Sequence, residues 1–125
     1  MERPPRATFL ASFGYAAQGL AEVVRTQRNF RVHLLLAALA VGMAAWLRLS
    51  RQEWALLVLV IGFVLEAEIF NTAAEVLVDL ASPRYHPLAK QVKDMAAGAV
   101  LLAALIALLI GLCLFGPPLW LRLTG

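Results

Sequence analysis

One continuous stretch, residues 54–79, changes character halfway along: it is apolar as far as Leu65 and acidic beyond it. An α-helix has about 3.6 residues per turn, so polar positions three or four residues apart share a face. Those positions are Glu68, Asn71 or Thr72, Glu75 and Asp79. Ionisable residues in or beside a membrane span are costly and are rarely kept without a use. The alternative, a solvated helix with its acids in water, conflicts with the apolar flanks.

Composition places the chain among membrane proteins. Hydrophobic residues make up 62% of its 125 residues, against roughly 45–50% in soluble domains. We therefore expect one all-α membrane domain covering residues 1–125. The net charge of +3 is modest. It suits anionic lipid headgroups or phosphates, whereas a nucleic-acid partner would need a denser basic face.

The N-terminal region predicts a helix on the membrane surface. After a short basic tail, Met1–Arg6, apolar residues recur every three or four positions over residues 7–25. Polar residues interrupt this stripe too often for a span, which favours an amphipathic helix in the interface. A soluble amphipathic helix packed on the protein fits the pattern equally well.

Three apolar segments predict membrane spans at about residues 31–47, 53–79 and 90–115. The first is short for a span of about 20 residues, so its flanks must contribute. A polar connection, residues 48–53, precedes the second helix, and a loop with prolines at both ends, residues 81–87, follows it. We expect Gly116-Pro117-Pro118 to end the last helix, because proline cannot donate a backbone hydrogen bond.

Small residues recur at every fourth position of the last span: Ala99, Ala103, Ala107 and Gly111. Such a stripe allows another helix to approach closely. Ordinary alanine-rich filler is the alternative, but the regular register favours helix packing.

Basic and aromatic residues predict the orientation. One side would hold Arg3, Arg6, Arg25, Arg28, Arg31, Arg84, Lys90 and Lys93, and the other Arg48, Arg51 and Arg122. The positive-inside rule then places the N-terminus and the second loop in the cytoplasm and the C-terminus outside. Trp46, Trp54 and Trp120 all fall at the outer ends of the spans, as an aromatic belt requires.

Acidic and basic groups would meet at the cytoplasmic end, which suits chemistry on a phosphate. Carboxylates can hold Mg²⁺ or act as a base, and Lys or Arg can neutralise phosphoryl oxygens. The helix beginning near Leu88 would add its N-terminal amides. The same intramembrane acids, with His33, could instead form a proton or cation relay in a small transporter. Purely structural ion pairs are a third possibility, and spacing alone does not separate the three.

Longer motifs resemble one known family. They are Glu68-x-x-Asn71-Thr72-Ala73-x-Glu75-x-x-x-Asp79, Tyr85-His86-Pro87-Leu88-Ala89-Lys90, Lys93-Asp94-Met95-Ala96-Ala97-Gly98-Ala99-Val100, Arg28-Asn29-Phe30-Arg31-Val32-His33, and the pairs Gly14-Tyr15 and Gly19-Leu20. Together they resemble the prokaryotic diacylglycerol kinase/undecaprenol kinase family over residues 7–115. The resemblance implies a homotrimer of three-span subunits in the bacterial cell membrane, with active sites shared at the cytoplasmic face. It also implies transfer of the γ-phosphoryl group of MgATP to a lipid hydroxyl.

The resemblance also implies roles for individual residues. Glu68 is expected to be the general base, Asn71 to orient Glu68 or the substrate hydroxyl, and Glu75 to be the Mg²⁺ ligand. The expected nucleotide-contacting positions are Tyr15, Glu75, Arg84, Tyr85, His86, Lys93 and Asp94. The residues of the Tyr85–Lys90 and Lys93–Val100 motifs resemble the undecaprenol kinase branch more than the diacylglycerol kinase branch. The resemblance therefore implies undecaprenol as the substrate, with diacylglycerol as the alternative.

Two positions depart from the family pattern. Gln27 stands where the family usually has a second metal-binding glutamate, and a neutral amide oxygen can ligate Mg²⁺ but brings no charge. Glu66 adds a carboxylate about 200° around the helix from Glu68, at 100° per residue. We expect Glu66 to serve packing or solubility rather than the reaction.

Overall fold

The computed structural model describes residues 5–125, which form α-helices and, within that range, no strand. The helices are α1 (Phe9–Thr26), α2 (Arg28–Leu47), α3 (Arg51–Ala81) and α4 (Pro87–Thr124). Residues 1–4 of the expected basic tail lie outside the described range. The expectation of an all-α fold with one short helix and three long apolar ones is confirmed.

The last three helices are each long and apolar enough to cross a membrane. α1 is shorter, contacts α2, and leaves Phe9 79% and Phe13 62% exposed. Its first turn is capped by Thr8, whose Oγ1 accepts a hydrogen bond from the Ala11 amide. An exposed apolar stripe on a separate helix agrees with the amphipathic surface helix expected from the sequence.

The connection between α2 and α3 is tighter than expected. Arg48 has a left-handed backbone, with φ 54°, and closes the end of α2. Ser50 Oγ then accepts from the Glu53 amide at 3.2 Å, while Glu53 Oε2 accepts from the Ser50 amide at 2.7 Å. This capping box satisfies two free amides at once. It starts α3 at Arg51, two residues before the expected position 53.

α3 packs most extensively against α4 and more lightly against α2. A small buried cluster joins the three helices and contains Ala44, Leu49, Leu57, Val60 and Leu114. Ala103, from the small-residue stripe, is only 6% exposed, and Ala107 packs against the cluster. The stripe therefore does bring α4 close to its neighbours, although Ala99 at its start is exposed.

The expected end of the last helix is wrong. Pro117 and Pro118 lie inside α4, which continues to Thr124. Proline inside a helix removes a backbone hydrogen bond and costs about 3 kcal/mol or more, so the segment beyond it needs other support. Arg122 supplies a contact there: Nη1 donates to the Trp46 carbonyl at 2.8 Å, and the guanidinium lies 4.8 Å from the centre of the Trp46 ring.

Candidate active site

The short loop between α3 and α4 brings the acidic end of α3 beside the basic start of α4. His86 caps α4, because its Nδ1 accepts a hydrogen bond from the Leu88 amide at 3.1 Å. Pro87 occupies the first turn, where its missing amide costs nothing. The predicted side chains on α3, the loop and α4 therefore share one end of the bundle.

Glu68 is the most enclosed of the acids, at 4% exposed. Its Oε1 lies 3.1 Å from Nε2 of His33, which comes from α2. Thr72, also buried, donates its hydroxyl to the Glu68 backbone carbonyl at 2.9 Å. The sequence analysis assigned His33 to a family motif and to a possible transporter relay but gave it no role in the kinase site, so its contact with the candidate base is a new feature.

Asn71 contacts a different carboxylate from the one expected. Its Nδ2 donates to Oε1 of Glu75 at 3.4 Å. Its Oδ1 is enclosed and, among residues 5–125, has no hydrogen-bond partner. Both residues are half-buried, one turn apart on the face of α3 that also carries Glu68. In this geometry Asn71 orients Glu75 rather than Glu68.

A hollow of about 330 Å³ lies at the loop. Its lining includes five predicted nucleotide-contacting residues, Arg84, Tyr85, His86, Lys93 and Asp94, and also Asp79 and Lys90. Lys93 pairs with Asp79 across the two helices, and Lys90 pairs with Asp94 along α4. Tyr85 is 81% exposed. Cations, an exposed ring and a helix N-terminus around one hollow are suited to binding an anionic nucleotide.

A second, larger groove of about 580 Å³ runs between α2, α3 and α4. Its lining is almost wholly apolar, from Leu65 and His33 at the level of Glu68 to Leu119 towards the other end of α4. A groove of this character can accommodate hydrocarbon. His33 brings a polar ring to its lining beside the buried carboxylate.

Two predicted residues make no polar contact with this cluster in the described part of the chain. Tyr15 is 62% exposed on α1, and Gln27 forms the corner between α1 and α2. In the described part of the chain, no hydrogen bond or ion pair joins either one to Glu68 or Glu75. Glu66 is exposed, in agreement with its expected position away from Glu68.

The residues of one chain offer a partial site for a divalent cation. Among residues 5–125, no group of three or more His, Cys, Asp or Glu side chains is placed to hold a metal. Mg²⁺, however, usually keeps several waters and binds through one or two carboxylates plus substrate phosphates. The half-buried Glu75 carboxylate, oriented by Asn71, fits that requirement.

Known proteins are similar to this chain over most of its sequence. The family described as Prokaryotic diacylglycerol kinase matches residues 14–115. The chain is 43% identical over 111 residues to the undecaprenol kinase of Bacillus subtilis, covering 89% of this chain and 90% of that protein. It is 46% identical over 111 residues to a diacylglycerol kinase of Synechocystis sp., covering 88% of this chain and 63% of that protein. The diacylglycerol kinase of Escherichia coli is 34% identical over 96 residues, or 77% of this chain and 79% of its own. The chain belongs to the prokaryotic diacylglycerol kinase family.

Proposed function

We propose that this chain is an integral membrane lipid kinase that transfers the γ-phosphoryl group of ATP to the hydroxyl of undecaprenol, giving undecaprenyl phosphate. The observation that carries the proposal is the position of Glu68: it is buried beside an apolar groove, with Glu75 and the loop hollow following along the same helix. A lipid alcohol and a nucleotide could therefore reach one another at the level of this carboxylate.

The chemistry follows from the arrangement of charges. Glu68 takes the proton of the lipid hydroxyl as the oxygen attacks the γ-phosphorus, and the bond from that phosphorus to the ADP oxygen breaks. Phosphoryl transfer needs positioning and charge neutralisation more than covalent help from the protein. Lys93 and Arg84, which line the loop hollow, neutralise phosphate oxygens. Tyr85, His86 and Asp94 line the same hollow and contact the nucleotide.

Glu75 would hold the Mg²⁺ ion that accompanies ATP, and Gln27 would be a second, uncharged ligand. When bound, the ion neutralises charge that develops on the transferred phosphoryl group. Asn71 keeps the Glu75 carboxylate in place through its 3.4 Å hydrogen bond. Because residues 5–125 of one chain offer few ligands, the phosphates of ATP would supply further oxygen ligands to the ion.

The functional unit is a homotrimer with active sites shared between neighbours. One observation supports this proposal: within residues 5–125 of one chain, no hydrogen bond or ion pair joins Tyr15 or Gln27 to Glu68 or Glu75, whose partners are His33 and Asn71. A second copy would supply the missing contacts to the site. Chemical cross-linking in micelles should stop at three copies, whereas a product no larger than a monomer would reject the shared site.

Undecaprenol is favoured over diacylglycerol as the acceptor on two grounds. The loop and α4 motifs resemble the undecaprenol kinase branch, and the match to the Bacillus subtilis undecaprenol kinase extends over 90% of that protein. Diacylglycerol remains the alternative acceptor, since relatives with 46% and 34% identity carry that name. The apolar groove has few polar groups with which to distinguish the two lipids by their tails.

The active site and the N-terminus face the cytoplasm and the C-terminus lies outside. The basic residues around α1 and the loop support this orientation by the positive-inside rule. Single cysteines introduced at Gln91 and at Thr124, in a Cys113→Ala background, would be tested in intact cells with a membrane-impermeant thiol reagent. Labelling only at position 124 is expected, and labelling only at position 91 would reverse the orientation.

The enzyme class is tested by ADP release from purified protein in micelles with Mg²⁺ and ATP. The kinase predicts that ATP is consumed only when undecaprenol or diacylglycerol is added. A small transporter instead predicts ion flux in vesicles without ATP, and membership in a kinase family argues against it. ADP release that does not respond to either lipid, from folded protein, would reject the proposal.

A further inference from the structure

We infer that His33 is a positioning residue for the reaction: it holds the Glu68 carboxylate in the orientation in which the free oxygen can accept the proton of the lipid hydroxyl. The inference rests on the proposed function, because it assigns Glu68 the role of base. Its starting point is the 3.1 Å contact between His33 Nε2 and Glu68 Oε1. The two residues are 35 positions apart in sequence and come from different helices.

The contact distinguishes the two carboxylate oxygens. Oε1 is occupied by the imidazole, and in the described residues no side chain donates to Oε2. Oε2 is not fully enclosed either. Among residues 5–125, the one fully enclosed side-chain oxygen or nitrogen without a hydrogen-bond partner is Oδ1 of Asn71. A substrate hydroxyl therefore has one oxygen of Glu68 open to it, and His33 determines which oxygen that is.

Other polar neighbours do not perform this task. Asn71 donates to Glu75, and Thr72 donates to the backbone carbonyl of Glu68 rather than to its carboxylate. In the proposed reaction Glu68 is the base, and a carboxylate only accepts hydrogen bonds, so Nε2 of His33 is assigned as the donor of this contact.

His33 also stands where a lipid would enter the site. Its ring lines the apolar groove, and its side chain is 20% exposed while that of Glu68 is 5% exposed. The buried Phe30, one turn earlier, packs this part of α2 into the protein. A lipid tail in the groove would thus place its hydroxyl end near the His33–Glu68 pair.

Three substitutions separate positioning from packing. Gln places its side-chain Nε2 close to the position of the imidazole Nε2, Asn is one methylene shorter, and Leu has no donor. We expect His33→Leu and His33→Asn each to lower kcat about tenfold or more, which is less than the roughly 10²–10⁴-fold effect of losing a base. We expect His33→Gln to recover most of the rate and all three to leave the KM for ATP unchanged.

A double substitution tests whether His33 acts through Glu68. If it does, His33→Leu should not lower the residual rate of Glu68→Gln any further, because the group that it positions is already lost. A merely structural role predicts a further fall by the same factor as in the wild type. All variants would be compared at equal helicity and equal assembly size.

The outcomes are distinguishable from failure of the proposed function. Suppose that the wild type turns over ATP only with lipid. If His33→Gln then fails to recover the rate, or if the double variant is slower than Glu68→Gln, the inference is overturned while the kinase assignment stands. A wild type without lipid-dependent turnover would overturn both. We expect His33→Gln to recover the rate and His33→Asn not to recover it. We also expect the double variant to have the same residual rate as Glu68→Gln alone.

Discussion

Lys93 of α4 forms an ion pair with Asp79 of α3, one turn along the helix from Glu75. The Asp79 side chain is 67% exposed and that of Lys93 is 41% exposed, and ion pairs that water reaches contribute only about 0–1 kcal/mol to stability. The pair therefore matters for position rather than for folding. It holds a cation beside the acidic face of α3, where the phosphates of a nucleotide would lie.

Replacing Lys93 by Met should weaken the use of ATP without unfolding the protein. A charged hydrogen bond of about 1.5–3 kcal/mol would be lost, so kcat/KM for ATP should fall roughly 10- to 100-fold while the KM for lipid stays the same. Arg51→Met, an exposed cation at the opposite end of α3, is the matched control and should behave like the wild type. An unchanged kcat/KM for Lys93→Met would remove Lys93 from the nucleotide site.

Glu68→Gln should nearly abolish turnover, because an amide of the same shape cannot accept the hydroxyl proton. General-base loss typically costs about 10²–10⁴-fold in rate. The matched control is Glu66→Gln, two residues away but exposed, and it should keep the wild-type rate. Lipid-dependent ADP release from both variants, with circular dichroism as the fold control, provides the measurement. Similar rates for the two variants would show that Glu68 is not the base.

Glu75→Gln should raise the concentration of Mg²⁺ needed for half-maximal activity. The substitution keeps an oxygen ligand but removes the charge that attracts a hard cation. Titration of Mg²⁺ at saturating ATP and lipid would measure the effect, with Glu53→Gln at the other end of α3 as control. The same Mg²⁺ dependence in both variants would argue against Glu75 as the ligand.

Gln27→Glu should have the opposite effect and lower the Mg²⁺ requirement. It places a carboxylate at the corner between α1 and α2. Glu22 lies on α1 and is paired with Arg25, so Glu22→Gln should leave the metal requirement nearly unchanged. If Gln27→Glu needs the same Mg²⁺ concentration for half-maximal activity as the wild type, the corner between α1 and α2 is not part of the metal site.

Ala103→Leu should destabilise the helix bundle. Ala103 is nearly fully buried, and overfilling a packed site typically costs about 1–3 kcal/mol. Ala99→Leu, one turn earlier on the same stripe but exposed, is the matched control and should have little effect on one subunit. Thermal loss of helicity in micelles compares the two, and equal melting temperatures would mean that the stripe does not set the helix spacing.

The sequence was most informative where local rules and global packing agree. α3 could be predicted from its unbroken pattern, and the start of α4 to within one residue: the helix was expected near Leu88 and begins at Pro87, which the sequence analysis had placed in the loop. The continuation of α4 through Pro117 and Pro118 could not, because its anchor is a tertiary contact between Arg122 and Trp46. A residue far along the chain thus overrode a reliable local signal.

Contacts between side chains in the site could not be predicted from the sequence either. Helical spacing placed Glu68, Asn71 and Glu75 on one face, and α3 keeps them there. Which carboxylate Asn71 contacts depends on side-chain rotamers that spacing does not specify. The pairing of His33 with Glu68 depends on how α2 is rotated against α3, and the apolar sequence of α2 allows several rotations.

Transfer of label from [γ-³²P]ATP to lipid tests the central claim most directly. Purified protein in micelles would receive Mg²⁺, labelled ATP and either undecaprenol or diacylglycerol, and the lipid would then be extracted and counted. We predict label in the lipid fraction, more with undecaprenol than with diacylglycerol, and almost none with Glu68→Gln. Folded protein that leaves both lipids unlabelled would contradict the account of this chain as a lipid kinase.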